Sequence, residues 1–289
     1  MLKRVDRLQM AVPDRAAAAR CWTALLGAEP EGEDRVASLG ARRTRLRLGN
    51  GFVELLEPDG AGRVGEAVGR RGAHLFAAGA ATDDVEALVA HLRGRGIECA
   101  EEAGQAFVDP ASAGRVGFRV VISRDEELAK IGDVDFFYET TLLVDDAQAA
   151  ARCCADLFAL DPGAFVPIES KQYGYAGVLT LFDPERLGRF EVITPHDLQK
   201  TMGRFFSRFG ESFYMAFAES SDLATIEARA REQGAGHTSE PPPDGRRGAA
   251  DTVFLHPPAL GGMMLGLSRP TQAWQWSGHP ERVEPRPGA

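Results

Sequence analysis

Two stretches of this chain, more than a hundred residues apart, are nearly superimposable. Residues 8–30 read "LQMAVPDRAAAARCWTALLGAEP" and residues 141–162 read "TLLVDDAQAAARCCADLFALDP". Self-similarity of this kind constrains a fold more than composition does, because each copy repeats one supersecondary unit. In the first copy, residues 4–12 read as a strand, with Leu8, Met10 and Val12 alternating with Arg7, Gln9 and Ala11. Asp14 can cap the helix of residues 15–26, and Gly27 ends it. Short strands follow at 35–39, 43–48 and 52–57, the last two joined by Gly49, Asn50 and Gly51. The order is strand, helix, three strands.

That order returns. A strand at 73–80 leads to a helix over 83–95 and strands at 105–108 and 115–122. A strand at 136–144 leads to a helix over 146–160 and strands near 165–167, 177–182 and 189–193. The fourth unit has a strand at 213–218, a helix over 222–234 and strands at 252–256 and 262–268. The four units group into a domain of residues 1–123, a polar linker of 124–134 and a domain of 135–269. A Pro-rich tail, 270–289, carries Trp274 and Trp276, whose spacing predicts that part of it docks on the body.

Composition removes several classes. With 33 basic against 42 acidic side chains and a formal net charge of -9, the chain lacks the basic field that nucleic-acid binding needs. No stretch approaches a membrane span, and residues 1–13 lack the apolar core of a signal peptide, so the expected address is cytoplasmic. Cys21, Cys99, Cys153 and Cys154 form no CxxC pair and read as buried thiols rather than a zinc site. No Walker loop, dinucleotide fingerprint or nucleophile elbow is present.

The phrases "RLQMAVPD", "LRLGNGFVELLEP", "DDVEALVAHLRGRGI", "LTLFDPERLGRFEVITP" and "FLHPPALGGMMLGLSRP" cover, in order, most of residues 4–270. With the repeated unit, they resemble the glyoxalase/bleomycin-resistance/extradiol-dioxygenase (vicinal oxygen chelate) superfamily. The resemblance implies an α+β fold of four βαβββ units, forming two domains with curved, mostly antiparallel, cup-shaped sheets. It also implies a cup that holds a divalent metal or a small organic ligand, with His and Glu ligands at four recurrent strand positions. In the first domain those positions carry Arg7, Glu54, His74 and Arg119. Glu54 and His74 are the metal candidates; a guanidinium cannot ligate a cation, and Glu54 could instead pair with Arg7 or Arg119. In the second domain the positions carry Glu139, Glu191, a place near Phe213 or Tyr214, and Gly266. The two-imidazole face of non-heme iron oxygenases is absent there.

Period-two alternation puts Glu139 on the cup face of its strand, with Leu142 and Val144 toward the helix. Glu191 shares its face with Arg189 and Ile193. Two carboxylates in one partly apolar cup raise each other's pKa, making Glu139 or Glu191 a candidate general base. The competing reading is a salt-bridged Glu191 and a solvated Glu139. All four tyrosines, Tyr138, Tyr173, Tyr175 and Tyr214, fall in the same domain, and Tyr173, Tyr175, Tyr214 and Lys171 are candidate substrate contacts. The expected function is isomerase- or lyase-type proton transfer on a small organic molecule in the second cup, by a monomer or homodimer, with a divalent metal allowed but not required. Two alternatives stand beside it: a drug-sequestering binding protein without catalysis, and a metal-dependent, dioxygenase-like enzyme.

Overall fold

The computed structural model describes residues 1–113, 117–240 and 250–285. The first sheet contains β1 (Leu2–Arg4), β2 (Arg7–Ala11), β3 (Glu29–Val36), β4 (Ala41–Leu48), β5 (Gly51–Pro58), β6 (His74–Thr82), β7 (Cys99–Glu102), β8 (Gln105–Val108) and β9 (Val120–Arg124). The second contains β10 (Phe136–Leu143), β11 (Val166–Ser170), β12 (Tyr175–Leu181), β13 (Arg189–Pro195), β14 (Ser212–Glu219), β15 (His237–Glu240), β16 (Thr252–Leu255) and β17 (Met264–Ser268). The helices are α1 (Arg15–Leu26), α2 (Arg63–Arg71), α3 (Val85–Arg93), α4 (Ala147–Phe158), α5 (Thr201–Phe209) and α6 (Leu223–Glu232).

The repeat seen in the sequence is a repeat of hydrogen bonding. Along the first sheet the order is β3-β4-β5-β2-β6-β9-β8-β7, and along the second it is β11-β12-β13-β10-β14-β17-β16-β15. These are one topology used twice. In each unit the opening strand pairs in parallel with the closing strand, β2 with β5, β6 with β9, β10 with β13 and β14 with β17. The other pairings are antiparallel, so the fold is α+β with mostly antiparallel sheets. Each unit also opens its helix in the same way. Asp14, Asp84, Asp146 and Asp222 each accept a hydrogen bond from the backbone N–H three residues on, satisfying a donor that the first helical turn leaves free. Gly27, at φ 70°, closes α1 in the left-handed region that glycine adopts without strain.

The helix-facing sides of both sheets share one core. Leu8, Met10, Trp22, Val53 and Leu55 from the first half pack in the same cluster as Leu142, Phe158, Phe190 and Phe213 from the second. Phe118 joins them, with its ring centroid 5.8 Å from Phe190 and 6.2 Å from Phe213. The opposite faces of the two sheets are the candidate cups. Helix α2 lies over the first, where Val64 and Ala67 pack against Ala11, Leu56, Phe76, Phe107 and Val121.

Several features differ from the sequence reading: α2, α5, β7 and β15 are not anticipated there, and β3 spans Glu29–Val36 rather than 35–39. β1 adds to the first sheet by pairing with β6, because Leu2 has a buried place beside Thr82. The closing strand of the second unit is β9, Val120–Arg124, two residues later than expected at its end, and Arg115 lies outside the described residues. The linker after Arg124 is held to the first domain by reciprocal backbone hydrogen bonds between Ile131 and Gly49, of 2.7 and 3.0 Å. The tail docks through Trp274, which packs with Tyr138, Leu187 and Ala273, and under the Arg282 guanidinium 4.6 Å away. Among the described residues no helix is long and apolar enough to cross a membrane.

Candidate active site

The cup faces follow from strand register. In the second domain Glu139 stands opposite Arg189, and Thr141 opposite Glu191, across the parallel β10–β13 pair. Arg189 Nε donates to Glu139 Oε2 at 2.7 Å, and Arg189 Nη1 donates to the Leu187 carbonyl at 3.1 Å. Both partners of this ion pair are buried, at 0% and 1% side-chain exposure. Among the described residues no cation is bonded to Glu191. Its Oε2 lies 2.5 Å from the Thr141 hydroxyl, which is also 3.3 Å from Glu139 Oε1. The competing reading is therefore reversed: Glu139 is the salt-bridged carboxylate, and Glu191 is the one left without a counter-ion. Burial and the neighbouring Glu139 charge hold the Glu191 carboxyl well above its ordinary range, against the opposing pull of Thr141 and Arg189.

Tyr138 also lies on the cup side. A register shift between Phe137 and Glu139 in the β10–β14 ladder sends Phe137 into the shared core and Tyr138 against cup residues. Its ring stacks on Phe217 at 6.0 Å, under the Arg189 guanidinium at 4.9 Å, and its hydroxyl meets Ser268 at 3.1 Å. Gly266, opposite Phe217 on β17, leaves that ring its place, since a Cβ there would sit 2.3 Å from it.

Tyr175 is close enough to Glu191 and Glu139 that, after burial itself, those charges raise its phenol pKa. Tyr173, 39% exposed, donates its hydroxyl to Glu240 at 2.7 Å, and burial, that bond and Tyr214 nearby push its phenol up to about 12. Tyr214 packs edge-on against Phe205 of α5, 5.0 Å between centroids. Tyr175 is thus near Glu191, with Tyr173 near both Tyr175 and Tyr214. Lys171 stands exposed in the turn between β11 and β12, where its carbonyl accepts from Lys200 Nζ at 2.5 Å.

The first cup has the same frame and the opposite charge. Gln9 stands opposite Glu54 as Thr141 stands opposite Glu191. Glu54 is fully buried, and both its oxygens are taken. Arg7 Nη1 and Gln105 Nε2 donate to Oε1 at 2.8 and 2.7 Å. Gln9 Nε2 and Arg43 Nη1 donate to Oε2 at 2.6 and 3.4 Å. Asp6 and Asp34 hold the far sides of Arg7 and Arg43 at 2.6 and 2.5 Å. Burial would raise the Glu54 pKa, but Arg7, Arg43 and the two amides overcome it and hold the carboxyl below its ordinary range. Arg119 pairs with Asp109 instead, at 3.1 Å. The network depends on a glycine: a Cβ on Gly79 would lie 2.0 Å from Arg7 Cγ. Gly79→Ala is expected to displace Arg7 and destabilise the fold by about 2–3 kcal/mol, read as a lower urea midpoint at unchanged slope.

Residues 6–118 match the family model of the Glyoxalase/Bleomycin resistance protein/Dioxygenase superfamily. The chain carries a domain of this superfamily. No curated protein matches the chain. Among solved structures, a triple mutant of 4-hydroxymandelate synthase from Streptomyces coelicolor superposes with TM-score 0.72 at 15% identity, over 98% of this chain and 100% of that one. A xylose isomerase-like TIM barrel/4-hydroxyphenylpyruvate dioxygenase fusion protein gives TM-score 0.65 at 12% identity, over 93% of this chain and 49% of its own. At such identities the likeness is one of fold, and it spans both halves of the chain.

The divalent metal implied by the superfamily does not fit the donors present. In the first cup a cation would approach Arg7 and Arg43, with both Glu54 oxygens already engaged. His74 gives its Nδ1 proton to the Gly72 carbonyl at 2.7 Å. Burial, aided by Arg71, Arg119 and Arg70, holds its imidazole down to about 4. In the second cup Arg189 holds Glu139, and the Phe217 ring fills the place over Gly266. Among the described residues no group of three or more His, Cys, Asp or Glu side chains is arranged to hold a metal. Sequence reasoning passed over Thr141, although its spacing of two from Glu139 carried the signal. The placement of Tyr138 depends on a bulge that no residue pattern announced.

Proposed function

We propose that the protein is an acid–base enzyme whose second cup moves a proton on a small organic molecule, with Glu191 as the group that takes and returns it. One observation carries this reading. Glu191 and Glu54 occupy equivalent places in two copies of one fold, yet Glu54 is locked by two guanidiniums while Glu191 is left with a carboxylate neighbour. Paired sites whose surroundings push equivalent carboxyls in opposite directions divide structural from chemical duty. A carboxyl with a raised pKa is a stronger base when ionised and stays protonated nearer neutrality, so it can accept a proton from carbon and return it. Glu139 stays paired with Arg189, and the Thr141 hydroxyl holds Glu191 in line. The substrate loses a C–H proton to the Glu191 carboxylate and regains it at the same or an adjacent atom, with no change in oxidation state. Tyr175, with Tyr173 and Tyr214 beyond it, offers flat apolar contact and phenol donors along the approach.

Proton NMR in deuterium oxide tests this over a panel of hydroxy ketones, oxo acids and thioesters. At least one compound is expected to exchange its α-proton with solvent, and Glu191→Gln to abolish the exchange. Exchange that persists in Glu191→Gln would exclude Glu191 as the acid–base group.

A further inference from the structure

The floor of the second cup contains a buried donor without a partner. Arg189 uses Nε on Glu139 and Nη1 on the Leu187 carbonyl, whereas its Nη2 is buried and has no hydrogen-bond partner among the described residues. The side chain is 0% exposed and shares the strand face of Glu191. A buried guanidinium N–H left unpaired carries its full desolvation penalty, so such a group marks a place where an acceptor belongs. The acceptor cannot come from the Tyr138 ring alone, which meets the guanidinium through its π face at 4.9 Å.

We propose that the cup is built for a small organic carboxylate, one of whose oxygens accepts from Arg189 Nη2, with Tyr138 and Phe217 against its hydrocarbon part. This deepens the acid–base reading and rests on it for the link to turnover: it names the substrate as an organic acid held near Glu191. Charge supports the choice of class. Glu139 and Arg189 form an ion pair, so an anionic ligand meets a floor whose one paired carboxylate is already matched and whose cation keeps a donor to spare. A hydrogen bond from a guanidinium to an anionic oxygen is about twice as strong as one to a neutral acceptor. An amine ligand, by contrast, would place its own donors against Nη2.

Calorimetric titration of the full chain with acetate, butyrate and benzoate, and with benzylamine as the opposite charge, tests the proposal. At least one carboxylate is expected to bind in preference to benzylamine. Arg189→Lys, which keeps the charge on Glu139 but lacks the second guanidinium nitrogen, is expected to weaken that binding about tenfold or more. The double variant Glu139→Gln/Arg189→Met removes both charges together, so that neither is left buried alone, and is expected to lose the binding while retaining a cooperative thermal transition. Carboxylates that all fail to bind, a preference for benzylamine, or affinity unchanged in both variants would overturn it. Glu191→Gln retains a side-chain donor, so carboxylate binding is expected to survive there while proton exchange is lost. Binding without exchange in the wild-type protein would sink the acid–base reading and leave the carboxylate site standing.

Discussion

Glu54→Ala is expected to destabilise the protein by about 3–5 kcal/mol, measured by urea denaturation at neutral pH. The reason is what the carboxylate leaves behind. Arg7 and Arg43 are both buried and both point at Glu54, and Gln9 and Gln105 add their amide donors. Removing the acceptor strands the donors of Arg7, Gln9 and Gln105 and leaves Arg43 Nη1 only its bond to the Gln105 side-chain oxygen, where water cannot replace the carboxylate. Asp6 and Asp34 keep one side of each guanidinium, so the loss stays below that of two isolated cations. The deficit depends on pH. Because Glu54 is held below its unfolded value, its contribution is present above the ordinary carboxylate range and is lost as pH falls through the depressed folded value. The wild-type advantage is therefore expected to shrink in acid. A loss below about 1 kcal/mol at neutral pH would show that the first cup does not depend on this network.

Glu191→Gln is expected to have two effects of opposite sign. Exchange activity falls by a factor of about 10²–10⁴, the usual contribution of a positioned acid–base group. Stability rises. Glu191 is held above its unfolded value, so below the unfolded pKa it is neutral in both states and its contribution is intact. As pH increases toward the folded value, the unfolded chain ionises freely and the folded one does not, and stability falls by up to about 1.4 kcal/mol per pH unit. Glutamine cannot ionise and escapes that loss. The variant is expected to match the wild type in acid and to exceed it increasingly above the ordinary carboxylate range. A Glu191→Gln protein less stable than the wild type at neutral pH would mean that Glu191 holds the fold as Glu54 does.

Sequence reasoning reached the frame of this site because its signals are periodic. The two matched openings, the Asp caps and the alternation along β10 and β13 each follow from local geometry, and they place Glu139, Arg189 and Glu191 on one face. Partner choice was harder to read. Arg7 was one of two cations named for Glu54, but Arg43 and Gln105 arrive from β4 and β8, and their meeting depends on sheet order rather than spacing. The same holds for Arg189, whose choice of Glu139 over Glu191 follows from parallel register. Strict alternation from Leu142 would put Tyr138 on the helix side, and one bulge reverses it. The tail shows a third limit: two tryptophans indicated docking, while the surface receiving Trp274 comes from Tyr138 and Leu187, far away in the chain.

The central claim is that two equivalent carboxyls differ in protonation because their cups differ in charge. Infrared difference spectra of the wild type against Glu191→Gln, and against Glu54→Gln, measure this directly at neutral pH. The account predicts a protonated-carboxyl band lost with Glu191 and only an ionised-carboxylate band lost with Glu54. A pure carboxylate signature for Glu191, matching that of Glu54, would contradict it.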